Sequence, residues 1–241
     1  MVTSERDSTP PQGLCVIPAR GGSKRLPRKN LALLDGLSLV QRSLETAVAS
    51  RLFKTILLSS DDEEILAQAA PYCPKVQAIK RDPSLAGDHS TVLELVCNLV
   101  DHYAEGHDMV GLVLPTAPLC SAEHLREGYK LLMSHTNADG VVSLTKYEFP
   151  PQFAVALQRS FVTPFMEDSP LVSGKTRSQD QALLYRPNGA FYFHRLPAFL
   201  EHQNFWKGSI LGYIMSRRDS VDIDTEFDLR LAELMLAEPE A

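Results

Sequence analysis

The chain has 241 residues, 44% of them hydrophobic and 22% charged, with a formal net charge of −6. This is an ordinary globular composition, with apolar material for one large domain or one domain with a small lobe. The negative balance argues against a broad basic face for nucleic acid or a membrane surface, and no apolar run approaches the length of a bilayer-spanning helix.

Residues 1–13 are polar and Pro-rich with no apolar h-region, so they read as a disordered tail and not as a secretory signal. Residues 14–18 are an apolar run that reads as a buried strand, followed by a basic loop. Leu39, Val40, Leu44, Ala47 and Val48 recur at helical spacing, which predicts a helix over 38–51. Residues 55–59 read as the next strand. Ser60-Asp-Asp-Glu63 reads as a capping box opening a helix to about Ala70, and 76–79 as a third strand. Thr91 and Glu94 form a second capping box before an apolar face of Leu95, Val96, Leu99, Val100 and Tyr103. Strands over 109–114 and 140–144 flank a helix capped by Ser121. The alternation predicts a mainly parallel α/β sheet, with ligands at the carboxyl ends of its strands.

The rhythm breaks after Tyr147, and residues 147–182 read as an inserted arm. The core pattern resumes with a strand over 189–194, a short helix near 196–200, a strand near 210–215 and a last helix carrying Phe227, Leu231, Leu234 and Met235. The four cysteines are far apart and form no C-x-x-C pair, and Cys15 and Cys97 read as core thiols. Together these point to a reducing cytoplasm and no structural zinc. The seven histidines form no metal or catalytic motif, His89 beside Asp88 being the one to watch.

Two stretches carry chemistry. The loop after the first strand holds Arg20, Gly21, Gly22, Ser23, Lys24, Arg25, Arg28 and Lys29. Glycines let backbone N–H groups approach phosphate, and arginine and lysine supply charge that a triphosphate needs. Neither the Walker A spacing nor the dinucleotide fingerprint is present, and a solvated basic turn is the alternative. Near the other end, Ser220-Val-Asp-Ile-Asp224 alternates apolar and acidic residues. If extended, it puts Asp222 and Asp224 on one face, a pair suited to Mg²⁺ with phosphate oxygens and water. The alternative is a helix start capped by Asp224 or Thr225. Arg177 and Arg186 are candidates for a substrate carboxylate, or else surface arginines.

Residues 17–30 resemble the signature loop of the acylneuraminate (sialic acid) cytidylyltransferases. The resemblance runs from Leu14 to about Leu236. It rests on further motifs in order: Ser59-Ser-Asp-Asp62, Lys80-Arg-Asp82 with Gly87-Asp88, Pro115-Thr-Ala-Pro-Leu119, Arg177-Ser-Gln179, Tyr185-Arg-Pro-Asn-Gly-Ala-Phe-Tyr192 and Ser220-Val-Asp-Ile-Asp-Thr225. It implies a Rossmann-like fold of the nucleotide-diphospho-sugar transferase type, with the arm as a dimerisation lobe in a homodimer. The implied activity joins CTP to a nine-carbon α-keto acid sugar, giving a CMP-sugar and pyrophosphate with Mg²⁺. Carried over, Arg20, Lys24, Lys29, Asp222 and Asp224 are catalytic, the two acids holding metal. Ala19, Gly21, Gly22, Ser23, Asn30, Arg81, Asp88 and Ser90 bind the nucleotide. Leu114, Gln152, Arg177, Gln179, Arg186, Asn188 and Tyr192 line the sugar pocket.

Some positions depart from the sialate pattern. Arg25 replaces a glycine common there and is similar to the pseudaminic branch, as are Pro150-Pro-Gln152 and the segment around Arg177. Leu114 removes a polar side chain, whereas Arg186-Pro-Asn-Gly189 looks more like the sialate and legionaminate branches. A less polar sugar such as a diacetamido-nonulosonate fits this mixture. The rivals are a Kdo or methylerythritol cytidylyltransferase, or a catalytically silent nucleotide-binding protein.

Overall fold

A computed structural model describes residues 11–85, 87 and 90–238. Strand β1 (Gly13–Pro18) leads through the basic loop to a short hairpin of β2 (Leu33–Leu34) and β3 (Leu37–Ser38), which feeds α1 (Leu39–Ser50). The alternation continues through β4 (Phe53–Ser60), α2 (Glu63–Ala67), β5 (Val76–Lys80), α3 (Val92–Tyr103), β6 (Met109–Val113), α4 (Ala122–Ser134) and β7 (Gly140–Lys146). The arm contributes β8 (Val155–Gln158), β9 (Phe161–Pro164) and α5 (Pro170–Ser173). The chain returns through β10 (Tyr185–Arg195), α6 (Leu196–His202), β11 (Ile210–Ile214) and α7 (Glu226–Ala237).

Seven strands form one sheet in the order β11-β7-β10-β6-β1-β4-β5. β10 runs antiparallel to both β6 and β7, and the other neighbouring strands are parallel. The fold is thus the mainly parallel α/β sheet expected, with one reversed strand. That reversal matters for the site. It brings the beginning of β10 to the edge where the parallel strands end, with Tyr185 opposite Lys146 and Phe191 opposite Val113. Ligand chemistry in such sheets gathers at that edge.

Alternate residues of β1 serve the two faces, as strand periodicity dictates. Cys15 and Ile17 join a cluster with Val40 and Leu44 of α1 and Leu125 and Leu132 of α4. Leu14 and Val16 join another with Leu95, Val96 and Leu99 of α3 and Phe199 of α6. Helix starts follow the sequence signals in most places. Ser38 with Gln41, Thr91 with Glu94, Ser121 with His124 and Thr225 with Asp228 are reciprocal capping boxes. Such caps stabilise a helix by about 1 kcal/mol each.

Two local readings need correction. Asp62, not Ser60, caps α2: its carboxylate accepts from the Glu64 and Ile65 N–H groups, while the Ser60 hydroxyl accepts from the Asp62 N–H. The helix also stops at Ala67 and gives way to a 3₁₀ turn over Ala70–Tyr72. Pro71 in that turn has no N–H to continue an α-helical ladder.

Candidate active site

The basic loop is held by acids from the next strand–helix unit. The Gly21 N–H donates to Asp61 Oδ1 at 2.8 Å. A Cβ at Gly21 would lie 2.8 Å from the Asp62 Cβ, so this position needs glycine, whereas one at Gly22 meets nothing within 4 Å. Arg28 sits at φ 54 and pairs with Glu64 at 2.5 Å. Buried Asn30 ties the loop back on itself, its amide donating to the Arg20 carbonyl at 2.8 Å. Ala19 is fully buried and its N–H is spent on the Ser59 carbonyl at 3.0 Å.

Two cavities open on this loop. The larger, about 350 Å³, is lined by Arg20, Lys29, Asn30, Arg81, Ser90, Leu114 and Thr116, with apolar Leu85, Val92 and Leu95. The smaller, about 290 Å³, is lined by Arg20, Ser23, Lys24, Arg25, Lys29, Asn30 and Asp224. They share Arg20, Lys29 and Asn30, so an elongated anion can lie across both. Arg81 enters the larger one from the end of β5. It donates to the Ser59 carbonyl at 2.9 Å, and its buried Nε has no acceptor among the described residues. Burial holds its guanidinium pKa below the ordinary value, as does neighbouring Arg20, while Asp61 pulls it back up. The Ser90 hydroxyl donates to the Ser84 carbonyl at 2.8 Å. Asp88 and His89 lie outside the described residues.

The acid pair lies between Ser220, at the end of a 3₁₀ turn, and Thr225, the cap of α7. The capping alternative is therefore also real: Thr225 caps the helix, and Asp222 and Asp224 precede it. Val221 and Ile223 are buried, Ile223 completely, and the Ile223 N–H donates to the Thr116 carbonyl at 2.7 Å. The acids are left facing the loop. Lys29 Nζ lies 2.9 Å from Asp224 Oδ1, and Arg25 lies 2.9 Å from Asp224 Oδ2. Asp222 is exposed by surface area, yet its carboxyl is set among closely packed protein atoms. That burial raises its pKa. A hydrogen bond from Thr116 opposes the rise, Asp224 adds to it, and Lys29 and Arg186 lower it.

The opening of β10 closes the site. Its register against β7 shifts between Pro187 and Tyr192. This bulge turns Asn188 inward and leaves Gly189 at φ 75, where an added Cβ would meet Leu114 at 3.8 Å and Asp222 Oδ2 at 3.9 Å. Asn188 is 1% exposed and its amide is fully engaged: Nδ2 donates to Ser220 Oγ and Met215 Sδ, and Oδ1 accepts from the Ala190 N–H. Tyr192 is half-buried, lies near Asp222, and meets Trp206 edge to face at 6.1 Å between ring centroids. Arg186 donates to the Pro187 carbonyl and is close enough to influence Asp222.

The arm residues stand apart. Gln152 donates to the Ala182 carbonyl at 3.0 Å, and its buried Oε1 has no donor among the described residues. Arg177 lies 3.8 Å from Asp180 and bonds the Gln179 amide oxygen at 3.1 Å once that amide is turned to face it. Neither of the two cleft cavities is lined by Gln152, Arg177 or Gln179. Thr116 and Asp61 lie inside sequence motifs that give them no role of their own, and Trp206 lies in none; only the folded chain shows the Thr116 carbonyl holding the segment between the acids and its hydroxyl bonding Asp222.

Comparisons with known proteins bear on the family and the fold. The pseudaminic acid cytidylyltransferase of Campylobacter jejuni is 34% identical over 227 residues, covering 93% of this chain and 96% of that protein. The CMP-N,N'-diacetyllegionaminic acid synthase of Legionella pneumophila is 29% identical, with 92% and 95% coverage. The N-acylneuraminate cytidylyltransferase of Streptococcus agalactiae is 30% identical over 220 residues, and the match spans 51% of its length. A solved CMP:2-keto-3-deoxy-manno-octonic acid synthetase complexed with CTP has the same fold, with a TM-score of 0.67 at 14% identity over 94% of this chain and 98% of that one. A cytidylyltransferase family model matches residues 14–213, and with the 34% identical relative it shows that this chain belongs to the cytidylyltransferase family, a family of nucleotidyltransferases.

Proposed function

We propose that the protein activates a nonulosonic acid with CTP, releasing pyrophosphate and forming the CMP-sugar. The observation that carries this reading is the pair of cavities joined at Arg20, Lys29 and Asn30 and ending at Asp224. The larger takes the base. There the buried Arg81 Nε–H offers cytosine a donor, and Leu85, Val92 and Leu95 supply an apolar wall. The smaller takes the phosphates, with Arg20, Lys24, Arg25 and Lys29 spreading positive charge along them and Gly22 leaving the backbone open.

The acid pair fits Mg²⁺ by its donor chemistry. Two hard oxygen donors stand together, the Asp224 carboxylate disfavouring charge on Asp222, and among the described residues no larger metal cluster exists. Mg²⁺ needs no more protein ligands than this when phosphate oxygens and water complete its shell. Bound there, the ion supplies neutralisation of phosphate charge in the transition state. The chain positions the anomeric hydroxyl in line with the α-phosphorus and the departing pyrophosphate, without a covalent nucleophile of its own. Thr116 and the Asn188–Ser220 contact fix where Asp222 stands.

The sugar lies against Leu114, Gly189 and Tyr192, with Arg186 as the partner of its carboxylate. The exposed half of Trp206 continues that wall, and an apolar wall suits a sugar with acetamido and deoxy carbons. The arm pairs two copies of the chain: Leu157 and Val162 are cross-strand neighbours, 67% and 60% exposed, and Val155 shares their face. The protein works in a reducing cytoplasm. Its cysteines are free thiols, and among the described residues no helix is long and apolar enough to cross a membrane. The test is pyrophosphate release from CTP with Mg²⁺ across N-acetylneuraminic, legionaminic, pseudaminic and Kdo acceptors. Release with a nonulosonic acid supports the reading, and none with any acceptor contradicts it.

A further inference from the structure

We propose that Arg25 is a positioning residue that occupies Asp224 until nucleotide arrives, so that the acid pair holds a divalent cation more tightly once the triphosphate is in place. This rests on the reading of Asp222 and Asp224 as the metal pair. Each Asp224 oxygen has its own cation: Oδ1 faces Lys29 and Oδ2 faces Arg25, both at 2.9 Å. Two cations in contact with one carboxylate neutralise its charge and repel an arriving metal ion, so losing one of them strengthens what the carboxylate can offer a metal.

The two cations differ. The Lys29 side chain is 14% exposed and set in place, whereas that of Arg25 is 68% exposed. Arg25 is therefore the partner that can swing away at little cost. Its alternative partner is at hand, because Arg25 and Lys29 both line the cavity that takes the phosphates. A polyphosphate offers more negative charge than one carboxylate, and arginine binds it bidentately. Transfer of Arg25 from Asp224 to phosphate would fill the cradle and release Oδ2 towards Asp222 in one movement.

The test is Mn²⁺ titration of the nucleotide-free protein, read from the electron paramagnetic resonance signal of free Mn²⁺. Arg25→Gln should bind Mn²⁺ about two- to fivefold more tightly than wild type, the range an exposed ion pair supports. The gain should vanish in Arg25→Gln/Asp224→Asn, with thermal melts confirming that each variant is folded. Equal or weaker binding in Arg25→Gln, including none in either protein, overturns the proposal, as does a gain that survives loss of Asp224. Failure of the metal reading itself shows differently: no variant would then hold Mn²⁺ even with CTP bound, beyond what CTP alone holds.

Discussion

Asn188 donates its buried amide to the Ser220 hydroxyl at 2.9 Å, joining the bulge of β10 to the segment that carries Asp222. The Ser220 hydroxyl in turn donates to the Ser216 carbonyl at 2.6 Å. The segment that carries the acid pair is thus anchored by a buried polar relay, while the loop it faces holds the Asp224 carboxylate itself. Asn188→Ala leaves the Ala190 N–H without its acceptor, at a cost of about 1–3 kcal/mol. Thermal denaturation should show a fall of about 2–4 °C for each kcal/mol lost. Turnover should drop while the KM for CTP stays near the wild-type value, because the base cavity does not include Asn188. A raised KM for CTP with unchanged turnover would contradict the positioning role.

The two loop glycines separate folding from ligand approach. Gly21→Ala forces a Cβ to within 2.8 Å of the Asp62 side chain, and such overpacking costs about 1–3 kcal/mol. Gly22→Ala meets nothing, so its melting temperature should match wild type to within about 0.5 kcal/mol of stability. Its KM for CTP should nonetheless rise, because the added methyl stands where phosphate approaches. Unchanged kinetics in Gly22→Ala would show that the phosphates do not pass this backbone.

Asp222 makes a prediction about pH. Burial raises its folded pKa above the ordinary 3.8, with Asp224 adding to the rise. A carboxyl with a raised folded pKa binds its proton more readily in the native state, so native stability falls as pH rises from 3.8 through the raised value. Above that window the deficit is complete. Asp222→Asn removes the deficit, and its melting temperature should exceed wild type at pH 7 in metal-free buffer. The difference should shrink as pH falls towards 4. A variant less stable than wild type at pH 7 would contradict this.

Leu157 and Val162 test the proposed homodimer. Aspartate at Leu157 puts charge on the apolar face of the arm hairpin, where the native side chain is 67% exposed. Light scattering after gel filtration should show wild-type dimers and Leu157→Asp monomers, with the melting transition little changed. Monomeric wild-type protein would remove the arm's assembly role.

Much of this architecture can be read from residue order. The apolar run of β1, the capping residues Thr91 and Ser121 and the α/β alternation are local signals, and local signals survive folding. Strand direction is not local. The alternation in β10 reads the same in either direction, so its antiparallel placement appears only in the sheet. The arm hairpin escaped because its paired residues are exposed on both faces, which erases the period-two contrast. Ser60 and Asp62 are both good capping residues, so sequence alone does not separate them, and backbone geometry selects Asp62 as the cap of α2. In the site, charge was legible and connection was not. Arg25 and Asp224 are 199 positions apart, and nothing in either stretch names the other as its partner.

In the proposed reaction CTP and a nonulosonic acid meet at a cleft whose acid pair carries the catalytic charge balance. The most direct measurement is CMP-sugar formed, quantified by mass spectrometry, by wild type and Asp222→Asn with CTP, Mg²⁺ and pseudaminic or legionaminic acid. Wild type should form a CMP-nonulosonate. Asp222→Asn should lose about a hundredfold or more in kcat/KM, the several kcal/mol that a charge-neutralising metal supplies. No CMP-sugar from wild type with either acid, or equal rates in the two proteins, would contradict it.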